Sequence, residues 1–293
     1  MEKNTYGDRT IVTYLRELKK YLSWCNQKGY DAQQLEYKHC VEYIDYLQNR
    51  ITFLGRKLAE KSIKQQIGVV KVYFKFLVSE DVRAFNPLSD FFYKIKRKYH
   101  HDLLSLDELE ELYVCYPTLD IKSVYSSSVA NRNKVMIGLI VYQGLEAKAL
   151  KSLKVEHIDL NKGRVNVPGT RKSNGRKLDL KACQIRNLMQ YLENDREVIL
   201  QRIKRSSNAL FPLSNDRISW MIFEAFKKLK IINFRVTNIK QLRASVLSLW
   251  VKQFDLRTAQ YMAGHRNISS TNRFKKNNLD SQHEAVEMYH PMR

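Results

Sequence analysis

The 293-residue sequence lacks any apolar run approaching the roughly 18 residues that a membrane-spanning helix needs, so it offers no helical bilayer span. It also lacks an N-terminal charged-then-apolar segment of the secretory-signal kind. Cysteine is sparse: Cys25, Cys40, Cys115 and Cys183 are scattered without a CxxC pair. That spacing excludes a zinc frame or a disulfide scaffold, and it predicts reduced, mostly buried thiols in a cytoplasmic protein. Acidic residues are the most conspicuous shortage, with 30 Asp+Glu against 51 Lys+Arg and a formal net charge of +21. Such an excess calls for a polyanionic partner, most economically nucleic acid. A generally basic soluble protein, or a binder of anionic membranes, is the bland alternative.

What is present is enough apolar residue, 44% of the chain, for real cores in one or two domains. Over the first hundred residues the apolar spacing is helical. Leu15, Leu18, Leu22 and Cys25 step by three or four, as do Val41, Ile44 and Leu47, then Ile67, Val70, Phe74 and Leu77. Gly29 and Gly55 break these runs. Lysines including Lys64 and Lys71 lie between the apolar stripes, which predicts a small helical domain over 1–97 with one basic face. The run Lys94, Lys96, Arg97 and Lys98 leads into a linker over 98–104 able to lie along a phosphate backbone. Ser105 and Glu108 form a capping box that opens a second domain, 105–293.

In that second domain Ser123 to Ser128 reads as a polar loop and Asn133 to Tyr142 as a buried helix ending at Gln143-Gly144. Arg164 to Pro168 and Arg176 to Leu180 alternate as two short strands of a hairpin, with Arg171 and Lys172 at its tip. The most informative stretch runs from Lys240 to Phe274. Lys240 and Arg243, three apart, share one helix face, and the apolar run from Val246 to Val251 can bury the other side. Gly264-His265 then reads as a helix end presenting an imidazole. Cations converging in this way suit a phosphodiester, whose non-bridging oxygens take charge-assisted hydrogen bonds.

Lys240-x-x-Arg243, Ala263-Gly264-His265 and an aromatic residue nine positions after the histidine resemble the C-terminal signature of the tyrosine recombinase (phage integrase) family. The usual form there is His or Lys-x-x-Arg, Leu-Gly-His and a nucleophilic tyrosine. Gly144-Leu145-x-Ala147-x-x-Leu150 is similar to the family's first-arginine box, and the hairpin is similar to the one carrying its mobile lysine. The tail around Met288-Tyr289-His290-Pro291 resembles that of Bacteroidetes-type, Xer-like members. The resemblance implies a mainly α fold with a small antiparallel β-sheet: a helical core-binding domain and a catalytic-type domain that clamp double-stranded DNA. It also implies that no metal or other cofactor is needed, and that protomers assemble as dimers or tetramers on DNA.

By the same resemblance Arg243, Lys240 and His265 hold the scissile phosphate and Lys172 protonates the leaving oxygen. Two positions depart from the family. Glu146 stands at the first arginine, where a carboxylate about 4 Å from a phosphate is unfavourable by about 4 kcal/mol at an effective dielectric near 20. That corresponds to a loss of several powers of ten in rate. Lys148, Arg132 and Arg266 are the cations that could stand in. Phe274 holds the nucleophile position without an oxygen, and Tyr289, in the tail, is a remote substitute. The sequence thus predicts a recombinase relative in site-specific recombination or integration that binds DNA but is deficient in strand cleavage. Two other readings stay open: an accessory DNA-binding protein working beside intact recombinases, or an active recombinase carrying an introduced Tyr→Phe change.

Overall fold

The computed structural model describes residues 6–95, 102–118, 123–212 and 218–275. The chain divides into two units, Met1–Lys98 and Tyr99–Arg293. The first is built on α1 (Asp8–Lys28), α2 (Tyr37–Asn49) and α3 (Glu60–Ser79). Gly29 ends α1 in the left-handed region at φ 70°, a conformation that glycine adopts without a Cβ penalty. Ile67, Val70, Phe74 and Leu77 are all buried, as their spacing predicts. On α1 the buried stripe is shifted: Leu15 and Leu22 face solvent, and Tyr21, Trp24 and Cys25 form the core. The reason is size. Aromatic rings remove more apolar area from water than leucine does, and Tyr21 packs edge-on against Tyr43 and Phe74 at centroid distances of 5.1 and 6.2 Å.

The second unit carries α4 (Leu106–Val114), α5 (Val124–Val141), α6 (Ala147–Ser152), α7 (Ala182–Gln190), α8 (Arg196–Ile203), α9 (Ile218–Ile232), α10 (Ile239–Gln253), α11 (Leu256–Ala263) and α12 (Ile268–Lys275). The Ser105 capping box is formed: the Ser105 hydroxyl accepts from the Glu108 amide, and the Glu108 carboxylate from the Ser105 amide. Asp102 to Leu104, placed in the linker by sequence, are fastened to this unit. Arg235 donates to the Asp102 carboxylate and the Leu103 carbonyl, and the Leu104 amide to the Ser245 hydroxyl at 2.9 Å. The serine-rich segment is not a loop but the entry of α5. The Ser123 hydroxyl caps it by accepting from the Ser126 amide at 3.1 Å, and that cap outweighs the weak helix propensity of serine. Cys25 and Cys40 are buried and Cys115 and Cys183 are exposed, so the expectation of mostly buried thiols holds for two of the four.

A three-stranded antiparallel sheet in the order β1 (Ile158–Asp159), β2 (Arg164–Val167), β3 (Arg176–Asp179) lies against the helical core. β1 is a short addition to the predicted hairpin. The register pairs Val165 with Leu178 and Val167 with Arg176. Residues directly opposite across antiparallel strands share a face, and here Val165, Val167, Leu178 and Arg176 are all buried. The inward face of the hairpin therefore carries three apolar side chains and one arginine. Replacing Phe74, fully buried in the first unit, by Ala is expected to remove about 3–5 kcal/mol from that unit. Amide hydrogen exchange in α2 and α3 reads this loss, and unchanged protection there would contradict the packing described.

Candidate active site

Asn238 opens α10 by accepting from the Lys240 and Gln241 amides at 2.9 and 3.1 Å. Leu242, Val246, Leu247 and Trp250 bury the helix. Arg243 is thereby held half-buried, and its guanidinium donates to two main-chain carbonyls, those of Gly144 and of Ala263 (2.8 Å). Burial holds its pKa below the usual arginine value, while the field of Glu146 acts in the opposite sense. Lys240, one turn earlier, is solvent-exposed and forms no side-chain contact with the other candidates among the described residues.

The Ala263-Gly264-His265 turn is the meeting point. Gly264 caps α11 at φ 68°. The His265 amide donates to the Gln260 carbonyl, and its Nδ1 pairs with the Thr271 hydroxyl at 2.9 Å. Phe274 of α12 is packed on the core, and its ring lies parallel to the imidazole with centroids 6.3 Å apart. Burial, reinforced by Arg243, Arg273 and Arg176, pushes the His265 pKa down to about 4. The ring is therefore neutral at pH 7.

The hairpin tip docks on this turn. The Asn174 amide donates to the Gly264 carbonyl at 3.0 Å, and Arg266 donates to the Thr170 carbonyl at 3.1 Å. Arg171 and Lys172 sit exposed on the same tip. Arg176, at the start of β3, was not among the residues singled out from sequence. It is only 6% exposed, and its guanidinium lies directly against Gly264, where an added Cβ would fall 2.4 Å from Nη1. Burial, and then the positive field of Arg243, push its pKa down to about 10, opposed by Glu146. A signal for it was present: the alternation that turns Leu178 inward turns Arg176 inward as well.

Glu146 is exposed at the start of α6, makes no capping bond, and acts electrostatically on both Arg243 and Arg176. The suggested stand-in cations lie elsewhere. Arg132 is buried on α5, where it donates to Asn133 near Tyr191, Tyr125 and Tyr116. Arg266 holds the hairpin tip, and Lys148 is exposed. In the first unit Lys64 and Lys94 are exposed. Lys71 is engaged within the chain, donating to the Ser89 carbonyl at 2.6 Å. Lys96, Arg97, Lys98 and Tyr289 lie outside the described residues.

The pattern of the phage integrase family matches residues 103–280, and that of the phage integrase N-terminal SAM-like domain matches residues 2–81. The chain belongs to the phage integrase family. It is 24% identical to the tyrosine recombinase XerC of Bacillus pumilus (strain SAFR-032), covering 99% of this chain and 93% of that protein. Against XerC of Staphylococcus aureus (strain NCTC 8325 / PS 47) the identity is 21%, over 94% and 87%. Among solved structures, a XerH site-specific recombinase bound to palindromic difH substrate in a post-cleavage complex aligns with a TM-score of 0.72. The identity is 17%, over 96% of this chain and 80% of that one. A Tn1549 transposon integrase in complex with circular intermediate DNA aligns with a TM-score of 0.67 at 16% identity, over 93% and 91%. At these identities the two structures establish that the integrase fold is shared.

Two outcomes follow for this integrase-family site. Gly264→Ala is expected to destabilise the fold by about 1–2 kcal/mol through the left-handed backbone alone, and to displace the Arg176 guanidinium as well. Urea denaturation checks the first effect, and a crystal structure of the variant checks the second. For His265, the folded pKa near 4 lies below the ordinary imidazole value near 6.5. The folded state therefore binds fewer protons between the two, so the stability contributed by the neutral ring is full above about pH 6.5 and declines as pH falls toward 4. A nitrogen-15 titration of the ring is expected to show it neutral at pH 6. A midpoint at or above the ordinary value would contradict the buried, positively surrounded position.

Proposed function

We propose that this chain acts in site-specific DNA recombination or integration by gripping a backbone phosphate of double-stranded DNA, without cutting the strand. The observation that carries the reading is the Ala263-Gly264-His265 turn. There Arg243, His265 and the hairpin tip converge, and the neighbouring aromatic position holds a phenyl ring in place of a phenol. In this reading Arg243 and His265 donate to non-bridging oxygens, with Lys240 swinging in from its exposed position. Lys172, exposed on the tip, would protonate a leaving 5′ oxygen. Strand cleavage needs an attacking side-chain oxygen to form the new bond to phosphorus as the 5′ oxygen departs with a proton. Phe274 supplies no such oxygen.

Lys64, Lys94, Arg171 and the basic run Lys96, Arg97 and Lys98 would follow the DNA backbone, with Lys71 contributing only where its carbonyl bonds are exchanged. DNA-bound relatives support this assignment, one of them a lambda integrase dimer bound to a COC' core site. By the same analogy this chain is proposed to assemble as a homodimer or tetramer on DNA, or beside intact recombinases. Among the described residues no helix is long and apolar enough to cross a membrane, which accords with a cytoplasmic site of action.

Binding to a 30-base-pair duplex is expected to weaken by about 10³-fold or more between 50 and 200 mM salt, as counterion release from six or more phosphates requires. A flat dependence would sink the phosphate-gripping surface. Incubation with a nicked duplex carrying the sequence that the protein selects from a random library should yield no covalent adduct. An adduct mapped to any residue would overturn the silent reading.

A further inference from the structure

Two guanidinium groups press on the same three-residue turn. Arg243 reaches it through the Ala263 carbonyl, and Arg176 lies against the Gly264 backbone. Neither forms an ion pair among the described residues. Arg243 at least has two carbonyl acceptors. Arg176 has no hydrogen-bond partner among the described residues, and its buried Nε is unsatisfied. A buried arginine without a carboxylate or a carbonyl, set beside a second arginine, is an arrangement that lacks its anion.

We infer that Arg176 supplies the second guanidinium of the phosphate clasp, doing from strand β3 what the arginine absent at position 146 does elsewhere in the family. The inference rests on the phosphate-gripping reading and deepens it. Glu146, Arg243 and Arg176 share one neighbourhood, since the carboxylate acts on both guanidinium groups. A guanidinium entering that space from β3 meets the same phosphate as one entering from the start of α6. Arg176 is also rigidly placed. Its strand is fixed by the Lys177 amide donating to the Tyr261 hydroxyl at 3.0 Å, and by Gln143 donating to the Asp179 carbonyl at 2.9 Å. A fork held in this way loses little freedom on binding an oxyanion, and two guanidinium groups with one imidazole give three donor sets for a phosphate diester.

The first test uses the intact protein and inorganic phosphate, with arginine side-chain and histidine ring resonances followed by NMR. The Arg176, Arg243 and His265 signals are expected to shift together with one shared Kd. Arg176→Gln and Arg243→Gln should each weaken that Kd by about tenfold, and Arg257→Gln, at an exposed position of α11, should not. Shifts at Arg243 and His265 with Arg176 unmoved would overturn the inference and leave the phosphate-gripping reading standing. No shift at any of the three would remove both. Arg176→Lys, which keeps the charge and loses the fork, separates recognition from packing: unchanged melting with a weakened Kd supports the assignment, and a Kd like that of the unmodified protein counts against it.

The second test restores the nucleophile. Phe274→Tyr alone is expected to form a covalent adduct with the nicked duplex, and adding Arg176→Gln should lower its yield by about 10²–10³-fold. An adduct that forms only when Glu146→Arg is added would show that Arg176 does not serve the phosphate. No adduct from Phe274→Tyr with or without Glu146→Arg would instead remove position 274 as the nucleophile site, and with it the recombinase reading of this turn.

Discussion

Arg243 bonds two main-chain carbonyls that are far apart in sequence, one at the corner after α5 and one at the end of α11. That pair of bonds is the constraint on which the second unit's surface is organised. It fixes the Gly144 corner, from which Glu146 projects, against the turn that carries His265. The buried side of α10 makes the constraint rigid, because Leu242, Val246, Leu247 and Trp250 leave the helix no freedom to rotate. Gly144 belongs to the same argument: at φ 57°, its backbone lies close enough to Val246 and Leu247 that an added Cβ would stand 3.2 Å from each.

Around that anchor the electrostatics are deliberately unbalanced. Burial, and then Arg243, Arg273 and Arg176, lower the pKa of His265, and among the described residues Glu146 is the carboxylate whose field acts on both the Arg176 and Arg243 guanidinium groups. Like charges held together in a low-dielectric site repel unless an anion joins them, and the same low dielectric strengthens the bond when it does. The neutral imidazole fits this scheme. In the proposed clasp it would add an N–H donor without a third full charge, so an oxyanion would be held without further like-charge repulsion.

Much of this was legible in the sequence. The helical spacing of Ile67, Val70, Phe74 and Leu77, the capping box at Ser105 and the hairpin from Arg164 to Leu180 all follow from local rules that tertiary packing then reinforces. The pairing of Arg243 with the Gly264-His265 turn followed from motif order. What escaped were features decided by packing between distant segments. Tyr21 and Trp24 displace the leucines because their rings find Tyr43 and Phe74 on other helices. Ser123 to Ser128 become helix because one cap suffices once Val135 and Met136 are buried further along. Arg176 was hidden for the opposite reason: its alternation with Leu178 is plain, but an inward arginine on a core strand acquires meaning only when the turn it touches is known.

The weight first placed on Glu146 therefore shifts. A carboxylate opposite a phosphate is costly in proportion to how closely the two are held and how dry the space between them is. Glu146 is exposed, carries no capping bond and is not part of a rigid network, so solvent screens it and its side chain can turn outward. The Arg176 guanidinium is buried and that of Arg243 is half-buried and bonded to two carbonyls, so their attraction for a phosphate in the proposed clasp would be screened far less. In the proposed clasp the balance would accordingly favour holding an anion even with a glutamate at the rim. Phe274 packs its ring on His265, and if position 274 is the nucleophile site, as proposed, the phenyl ring keeps that contact and lacks only the oxygen that would attack. In the proposed reading a change confined to one hydroxyl leaves fold, turn and clasp intact, so recognition of the phosphate would survive and its transfer would be lost.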